Sequence, residues 1–235
     1  MTSIMMLGDS WACGEWGRAT HGQGQEPHYR NTHTGTQQYL QQAGNRVINM
    51  AERGASNWSQ LDRISPHHAL SHNLRDADVV LWFITDPLRD TQDPQPGTFE
   101  DLHRTQTQLL TDSMNKLASL VGDREVWLVG GVGVVPAWVK TRHPGWRVIV
   151  PDLLRWLVPD SEVSAMHLNR TWRYGDCDTA LLDHFEIEEQ RVASFQWRAE
   201  HRRDSDEHRL FWPDGVHPNR EAHRLFTEEL ILPLL

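Results

Sequence analysis

Apolar residues along this chain fall into short unbroken runs, separated by longer stretches in which they recur every three or four positions. Ile4 to Leu7, Val47 and Ile48 within Arg46 to Met50, Asp78 to Ile84 (DVVLWFI), Glu125 to Val129 and Arg147 to Val150 are the short runs. Their length and their content of β-branched and aromatic residues predict strands covered on both faces. Between them, Gly35 to Gly44 reads as a helix that ends at glycine, and Trp58 to Ile64 as a second, capped by Ser56 or Asn57. Pro66 restarts that helix, and His67 to Leu74 continues it. Phe99 to Val121 carries a helical period through Leu102, Leu109, Leu110, Met114, Leu117 and Leu120. Pro151 to Leu157 is short and apolar, and Arg220 to Leu230 reads as a closing helix with Asn219 or Pro218 at its start. The polar stretch Trp11 to Gly35 has no sustained period and reads as loop.

Strand and helix alternate, which is the pattern of a parallel sheet with helices on both faces. Right-handed crossovers then bring the carboxyl ends of all strands to one edge. Ser10, Gly54, Thr85 and Gly130 each follow a strand, so all four belong to that edge. No repeat interrupts the alternation, and residues 1–235 read as one domain. The stretch from Pro159 to Arg209 breaks the rhythm. It contains a long mixed-charge helix, Asp178 to Arg203, and reads as a helical insertion, with a solvated helix packed on the body favoured over a lid or partner surface.

Composition narrows the partners. A net charge of −9, with charged residues dispersed, argues against nucleic acid, because phosphate binding wants a basic face. There is no basic n-region with an apolar core at the start, and no run approaches membrane-spanning length, so a cytoplasmic protein is expected, ahead of export by another route or incorporation in a larger particle. Mean hydropathy is −0.60, without a membrane-seeking amphipathic helix. Cys13 and Cys177 have no spacing of a disulfide framework or a zinc site. Eleven tryptophans are unusual, and Trp11, Trp16, Trp58, Trp138, Trp146 and Trp212 lie outside the strand-like runs. Those near the sheet edge are positioned to line a groove for a sugar or another flat ligand.

Chemistry concentrates at the two ends of the chain. Gly8-Asp9-Ser10 ends the first strand, where a sharp turn can hold a serine hydroxyl at the ligand-binding edge. Alone, the tripeptide is also an ordinary turn. Asp214 and His217, three apart in the loop Phe211 to Asn219, let a carboxylate orient an imidazole and leave its other nitrogen to act as a base. Cys13 is a rival nucleophile, with a small buried thiol as its alternative. His21, His28 and His33 match no standard metal-ligand spacing. The glycines from Gly130 to Gly133 lack the Gly-Lys-Ser/Thr ending of a phosphate loop.

Taken together, Gly8-Asp9-Ser10, the block Asn49 to Gly54 (NMAERG) and Asp214-Gly215-Val216-His217-Pro218-Asn219 resemble the SGNH hydrolases, the GDSL-like esterases and lipases. The resemblance runs in order from Gly8 to Asn219. It implies a three-layer α/β/α flavodoxin-like fold with a central parallel sheet of about five strands. It also implies ester hydrolysis through an acyl-enzyme, with no cofactor and no metal. In that scheme Ser10 is the nucleophile, His217 the base and Asp214 its orienter. The backbone N–H groups of Ser10 and Gly54 form the oxyanion hole. The third block departs from the family pattern Gly-x-Asn-Asp: here it reads Phe83-Ile84-Thr85-Asp86. Thr85 then stands where the family has its asparagine donor, with Asn57 as the neighbour able to reach in. Trp11, Asn57, Asp86 and Trp212 are expected to contact substrate. The expected substrate is a small-molecule or carbohydrate ester with a short acyl group, ahead of a long-chain lipid. The competing reading is a non-catalytic binding or structural protein that keeps the fold. The altered third block favours that reading, and the intact Ser10, Asp214 and His217 oppose it.

Overall fold

The computed structural model describes residues 1–19, 28–90, 99–131, 133–157, 210 and 217–235. In chain order the elements are β1 (Ser3–Leu7), α1 (Ser10–Cys13), β2 (Glu15–Ala19), β3 (His28–His33), α2 (Thr36–Gln42), β4 (Arg46–Asn49), α3 (Asn57–Arg63), α4 (His72–Arg75) and β5 (Val79–Ile84). There follow α5 (Phe99–Val121), β6 (Glu125–Gly130), α6 (Val139–Arg142), β7 (Arg147–Val150), α7 (Leu153–Leu157) and α8 (Arg220–Phe226).

The five predicted strands form one parallel sheet in the order β4-β1-β5-β6-β7. Counting these strands alone, the order is 2-1-3-4-5, the flavodoxin-like winding. The winding reverses between β1 and β5, and the crevice outside their carboxyl ends is where such sheets bind ligands. Side chains alternate across the sheet, as the period of two requires. Ile4, Met6, Leu81, Phe83, Trp127 and Val129 face one layer, where Trp11, Leu40, Leu153, Leu154, Ala222 and Phe226 cover them. Met5, Leu7, Val80, Trp82, Ile84, Val126 and Leu128 face the other, against Leu61, Leu110, Met114, Leu117 and Val139. The result is the α/β/α sandwich with a doubly wound sheet. All six residues of β5 are buried, which accounts for its unbroken apolar run.

Local signals set the helix starts. The Ser56 hydroxyl accepts the Ser59 N–H at 3.1 Å and the Ser59 hydroxyl accepts the Ser56 N–H at 3.0 Å, a reciprocal cap on α3. The Asn219 side chain accepts the Ala222 N–H at 3.1 Å, so Asn219, and not Pro218, caps α8.

Two expectations need correction. Trp11 to Gly35 is not wholly loop: α1 opens it, and β2 and β3 pair antiparallel within it. Thr, His and Tyr in this stretch suit a polar two-stranded ribbon, which shows no strong hydrophobic alternation to read. His67 to Leu74 does not continue the preceding helix. It runs through turns into the four-residue α4, because the segment has few apolar positions to bury. The expected insertion from Pro159 to Arg209 lies outside the described residues.

α2 and α8 pack together through His223, whose Nδ1 lies 3.1 Å from the Thr36 hydroxyl. Complete burial, helped by the charge of nearby His33 and opposed by Glu15, pushes the His223 imidazole down to about 4. The folded protein therefore holds His223 neutral where an unfolded chain would protonate it.

Two measurements follow from these contacts. A Cβ at Gly8 would lie 2.4 Å from the Ala12 Cβ and 2.9 Å from the Phe83 Cβ, so the turn after β1 has no room for a side chain. Gly8→Ala is expected to lower stability by about 2–3 kcal/mol in urea unfolding, the cost of forcing atoms into a packed site. Because the folded pKa of His223 lies below its unfolded value, the fold binds fewer protons than the unfolded chain between them. Stability is then expected to fall as pH drops from about 6.5 to about 4, by roughly 3 kcal/mol. His223→Gln should flatten that part of the urea-stability profile.

Candidate active site

The site grows from the end of β1. Gly8 lets the chain turn, and Asp9 caps α1, its Oδ1 accepting the Trp11 N–H at 3.0 Å. That cap starts the short helix at Ser10 and leaves the serine at the carboxyl edge of the sheet, 7 % exposed. Across the crevice, the residues that lead into α8 carry His217. Its Nε2 lies 2.9 Å from Ser10 Oγ, within hydrogen-bonding distance. These two groups are 207 positions apart in the chain and are brought together only by the fold. Asp214 lies outside the described residues, as does Trp212.

Asp9 does more than cap. Its Oδ2 accepts the Thr85 hydroxyl at 2.6 Å and Arg89 Nη1 at 2.8 Å. The carboxylate is 1 % exposed, so these charge-assisted bonds replace the water that burial removed. Arg89 Nη1 also reaches the Ala55 carbonyl at 3.3 Å. The loops after β1, β4 and β5 are thus tied together at one buried carboxylate.

The third-block position is resolved by this network. Thr85 has a single O–H, and it is given to Asp9, so the hydroxyl is not directed at an oxyanion. Asn57 is also occupied. Its Nδ2 donates to the Thr85 carbonyl at 2.9 Å and its Oδ1 accepts the Thr85 N–H at 3.0 Å. This side chain therefore holds the β5 loop in place and is fully buried, not presented to a substrate. Trp11 likewise packs into the core beside Ile4 and Leu40, because the turn of α1 points it inward from the crevice. Asp86 is buried at the same loop. Gly54 is exposed, with φ at +72°, a left-handed backbone that suits glycine and a sharp turn beside the site.

Cys13, three residues after Ser10, carries a free thiol. Burial, with the negative charges of Asp9 and Glu52, pushes it up to about 12. A thiol held protonated is a poor nucleophile, which leaves Ser10 the better one. Among the described residues no group of histidines, cysteines and carboxylates could hold a metal ion. No helix of the described residues is long and apolar enough to cross a membrane.

Several supporting residues were not singled out from the sequence. Arg89 is one. Asn49 is another: its Nδ2 donates to the Ala12 carbonyl at 3.2 Å and its Oδ1 accepts the Ala51 N–H at 2.9 Å, joining the β4 loop to the end of α1. Glu15 and Arg220 form a third support. Burial works to raise the Glu15 carboxyl, but hydrogen bonds from the Arg220 side chain and backbone, and its charge, outweigh burial and hold it below the usual glutamate range. Asn49 opens the block Asn49 to Gly54 without a role of its own being read there, and no motif marks Arg89, Glu15 or Arg220, because each acts on backbone or on a partner distant in the chain.

Curated protein sequences gave no match. Among solved structures, the chain is similar to the lipase Lip_vut3 from a goat rumen metagenome, at 13% identity and a TM-score of 0.47, covering 98% of this chain and 96% of that one. It is similar to TesA at 18% identity and a TM-score of 0.42, covering 99% of each chain. A family two carbohydrate esterase from Cellvibrio japonicus aligns at 15% identity and a TM-score of 0.46, over 99% of this chain and 60% of that one. The family model described as GDSL-like Lipase/Acylhydrolase matches residues 4–230, nearly the whole chain. With Gly8-Asp9-Ser10 following the first strand and the sheet wound around that point, the chain belongs to the GDSL-like lipase/acylhydrolase family.

Proposed function

We propose that the protein is a serine esterase or deacylase that hydrolyses a short-acyl carboxylic ester through an acyl-enzyme. The observation that carries this reading is the 2.9 Å approach of His217 Nε2 to Ser10 Oγ at the carboxyl edge of the sheet. A bare hydroxyl is a weak nucleophile at neutral pH, and a base at this distance is what activates it. Ser10 Oγ attacks the carbonyl carbon while its proton passes to His217. The imidazolium then protonates the leaving alcohol, and the acyl group stays on Ser10. Water, deprotonated by His217, releases the acid and returns the proton to Ser10. Asp214 is assigned as the group that orients His217, on its three-residue separation in the sequence.

The tetrahedral oxyanion is assigned to the backbone N–H groups of Ser10 and Gly54. The family's side-chain amide has no counterpart, since the Thr85 hydroxyl is bound to Asp9 and Asn57 grips the Thr85 backbone. One missing donor of this kind lowers turnover by about a hundredfold or more, so a modest kcat belongs to this reading. A carbohydrate ester is the favoured substrate among small esters. Trp58 follows Asn57 at the start of α3 and keeps 42 % of its surface exposed, with the Lys116 ammonium over its ring at 3.7 Å, so a sugar would have only the opposite indole face to stack on. The alternative, a binding protein that keeps the fold, draws support from the altered third block.

Hydrolysis of p-nitrophenyl acetate separates the two. Wild type is expected to turn it over and to be labelled at Ser10 by a fluorophosphonate, while Ser10→Ala and His217→Ala lose at least about a thousandfold in kcat. A wild type that neither hydrolyses the ester nor takes the label is the binding protein. Thr85→Val tests the oxyanion assignment. With the hydroxyl serving Asp9, kcat should fall by less than about tenfold, short of the loss that follows removal of an oxyanion donor.

A further inference from the structure

Glu15 and Arg220 stand close in sequence to the two reacting groups, one on each side. Glu15 is five positions after Ser10, and Arg220 is three after His217. Glu15 Oε2 accepts the Arg220 backbone N–H at 2.6 Å and Arg220 Nε at 3.1 Å. Its Oε1 accepts Arg220 Nη2 at 2.7 Å, and the Thr32 hydroxyl at 3.2 Å. Glu15 is 8 % exposed, which is rare for a glutamate without a structural task.

The bond to the backbone is the informative one. Arg220 is the first residue of α8, and its N–H is among the donors that a helix start leaves unpaired. The Asn219 side chain takes the N–H of Ala222, and Glu15 takes that of Arg220. Together they fix where α8 begins, and His217 sits immediately before that point. On the other side, α1 is held at its start by Asp9 and at its end by Asn49. At Gly14, φ is +113°, and an added Cβ would lie 2.2 Å from the His33 carbonyl. Only glycine lets the chain reverse there and carry Glu15 under α8.

The segments Ser10 to Glu15 and His217 to Arg220 are thus two sides of a closed ring. Its two cross-links are the Glu15–Arg220 pair and the Ser10–His217 contact. We infer that Glu15 is a positioning residue, which holds the base at hydrogen-bonding distance from the nucleophile by fixing the start of α8. Its catalytic consequence rests on the esterase reading above. Glu15 touches no reacting atom. It acts by making the Ser10–His217 approach a preformed one, so that substrate binding does not have to assemble it. A displacement of the order of 1 Å between catalytic groups is enough to cost about a hundredfold in rate.

The test measures kcat, KM and the rate of fluorophosphonate labelling of Ser10 for wild type, Glu15→Ala, Glu15→Gln and Arg220→Gln. Arg46→Met, which breaks the exposed pair between Arg46 on β4 and Asp76 after α4, serves as the matched control. All are assayed at a temperature where circular dichroism shows them folded. In Glu15→Ala, kcat and labelling are expected to fall by about tenfold or more, with KM within about twofold of wild type. Glu15→Gln keeps an oxygen for the Arg220 N–H and should recover most of the loss. Arg220→Gln leaves that bond in place and should lose less than Glu15→Ala, and Arg46→Met should match wild type. Long-range 1H–15N correlation spectra of the imidazoles give a readout independent of turnover. The His217 Nε2 resonance should move in Glu15→Ala from a hydrogen-bonded towards an unbonded nitrogen. A folded Glu15→Ala with wild-type kcat and an unmoved His217 resonance overturns the inference. If wild type shows no Ser10-dependent turnover but the resonance moves, the esterase reading fails and the positioning role of Glu15 stands.

Discussion

A carboxylate buried at the edge of a sheet has to be satisfied by groups that stay where they are. Asp9 meets that constraint with the Trp11 N–H, the Thr85 hydroxyl and the Arg89 guanidinium. Trp11 is local to the turn, while Thr85 and Arg89 both belong to the loop after β5, so these bonds fix that loop relative to Ser10. Removing the Arg89 guanidinium would leave the Asp9 charge uncompensated in a low-dielectric site, so that pair is the costliest member of the network to lose. The strands deliver three loops to one edge, and Asp9 sets how those loops meet.

That arrangement explains how the fold accommodates its altered third block. In the family pattern an asparagine at this position offers its amide to the substrate side. Threonine is shorter, and here its hydroxyl turns back to Asp9. The loop still needs anchoring, and Asn57 supplies it by bonding both the N–H and the carbonyl of Thr85. The substitution has therefore moved a polar group from the crevice into the scaffold. The loops around Ser10 gain bonds among themselves.

The far side of the crevice is built on the same physics with different residues. Glu15 does for the start of α8 what Asp9 does for the start of α1: it satisfies a helix N-terminal donor and an arginine together. The two helix starts carry the two groups that approach at 2.9 Å. Fully buried His223 closes the interface behind them against Thr36.

The five strands and their parallel pairing were legible in the sequence, as were Ser10 and His217 as candidate groups at opposite ends of the chain. Continuous apolar runs such as VVLWFI have only a doubly covered strand as a stable home, and alternation with helices fixes the sheet type. The polar ribbon of β2 and β3 was not legible, because its pairing leaves no hydrophobic period. Nor was the fate of Trp11, Asn57 and Thr85. Each is a residue type that suits a crevice, and composition says nothing about which way α1 turns or where a neighbouring loop sits. A hydroxyl or an amide has several partners within reach in sequence space, and the one it takes depends on backbone positions set elsewhere. The sequence by itself thus determined the layers, the edge and the chemical groups at it. The tertiary structure alone decided which polar groups remain for a substrate and which are consumed in holding the loops, because hydrogen bonds are short and directional and their partners here lie up to 207 positions apart.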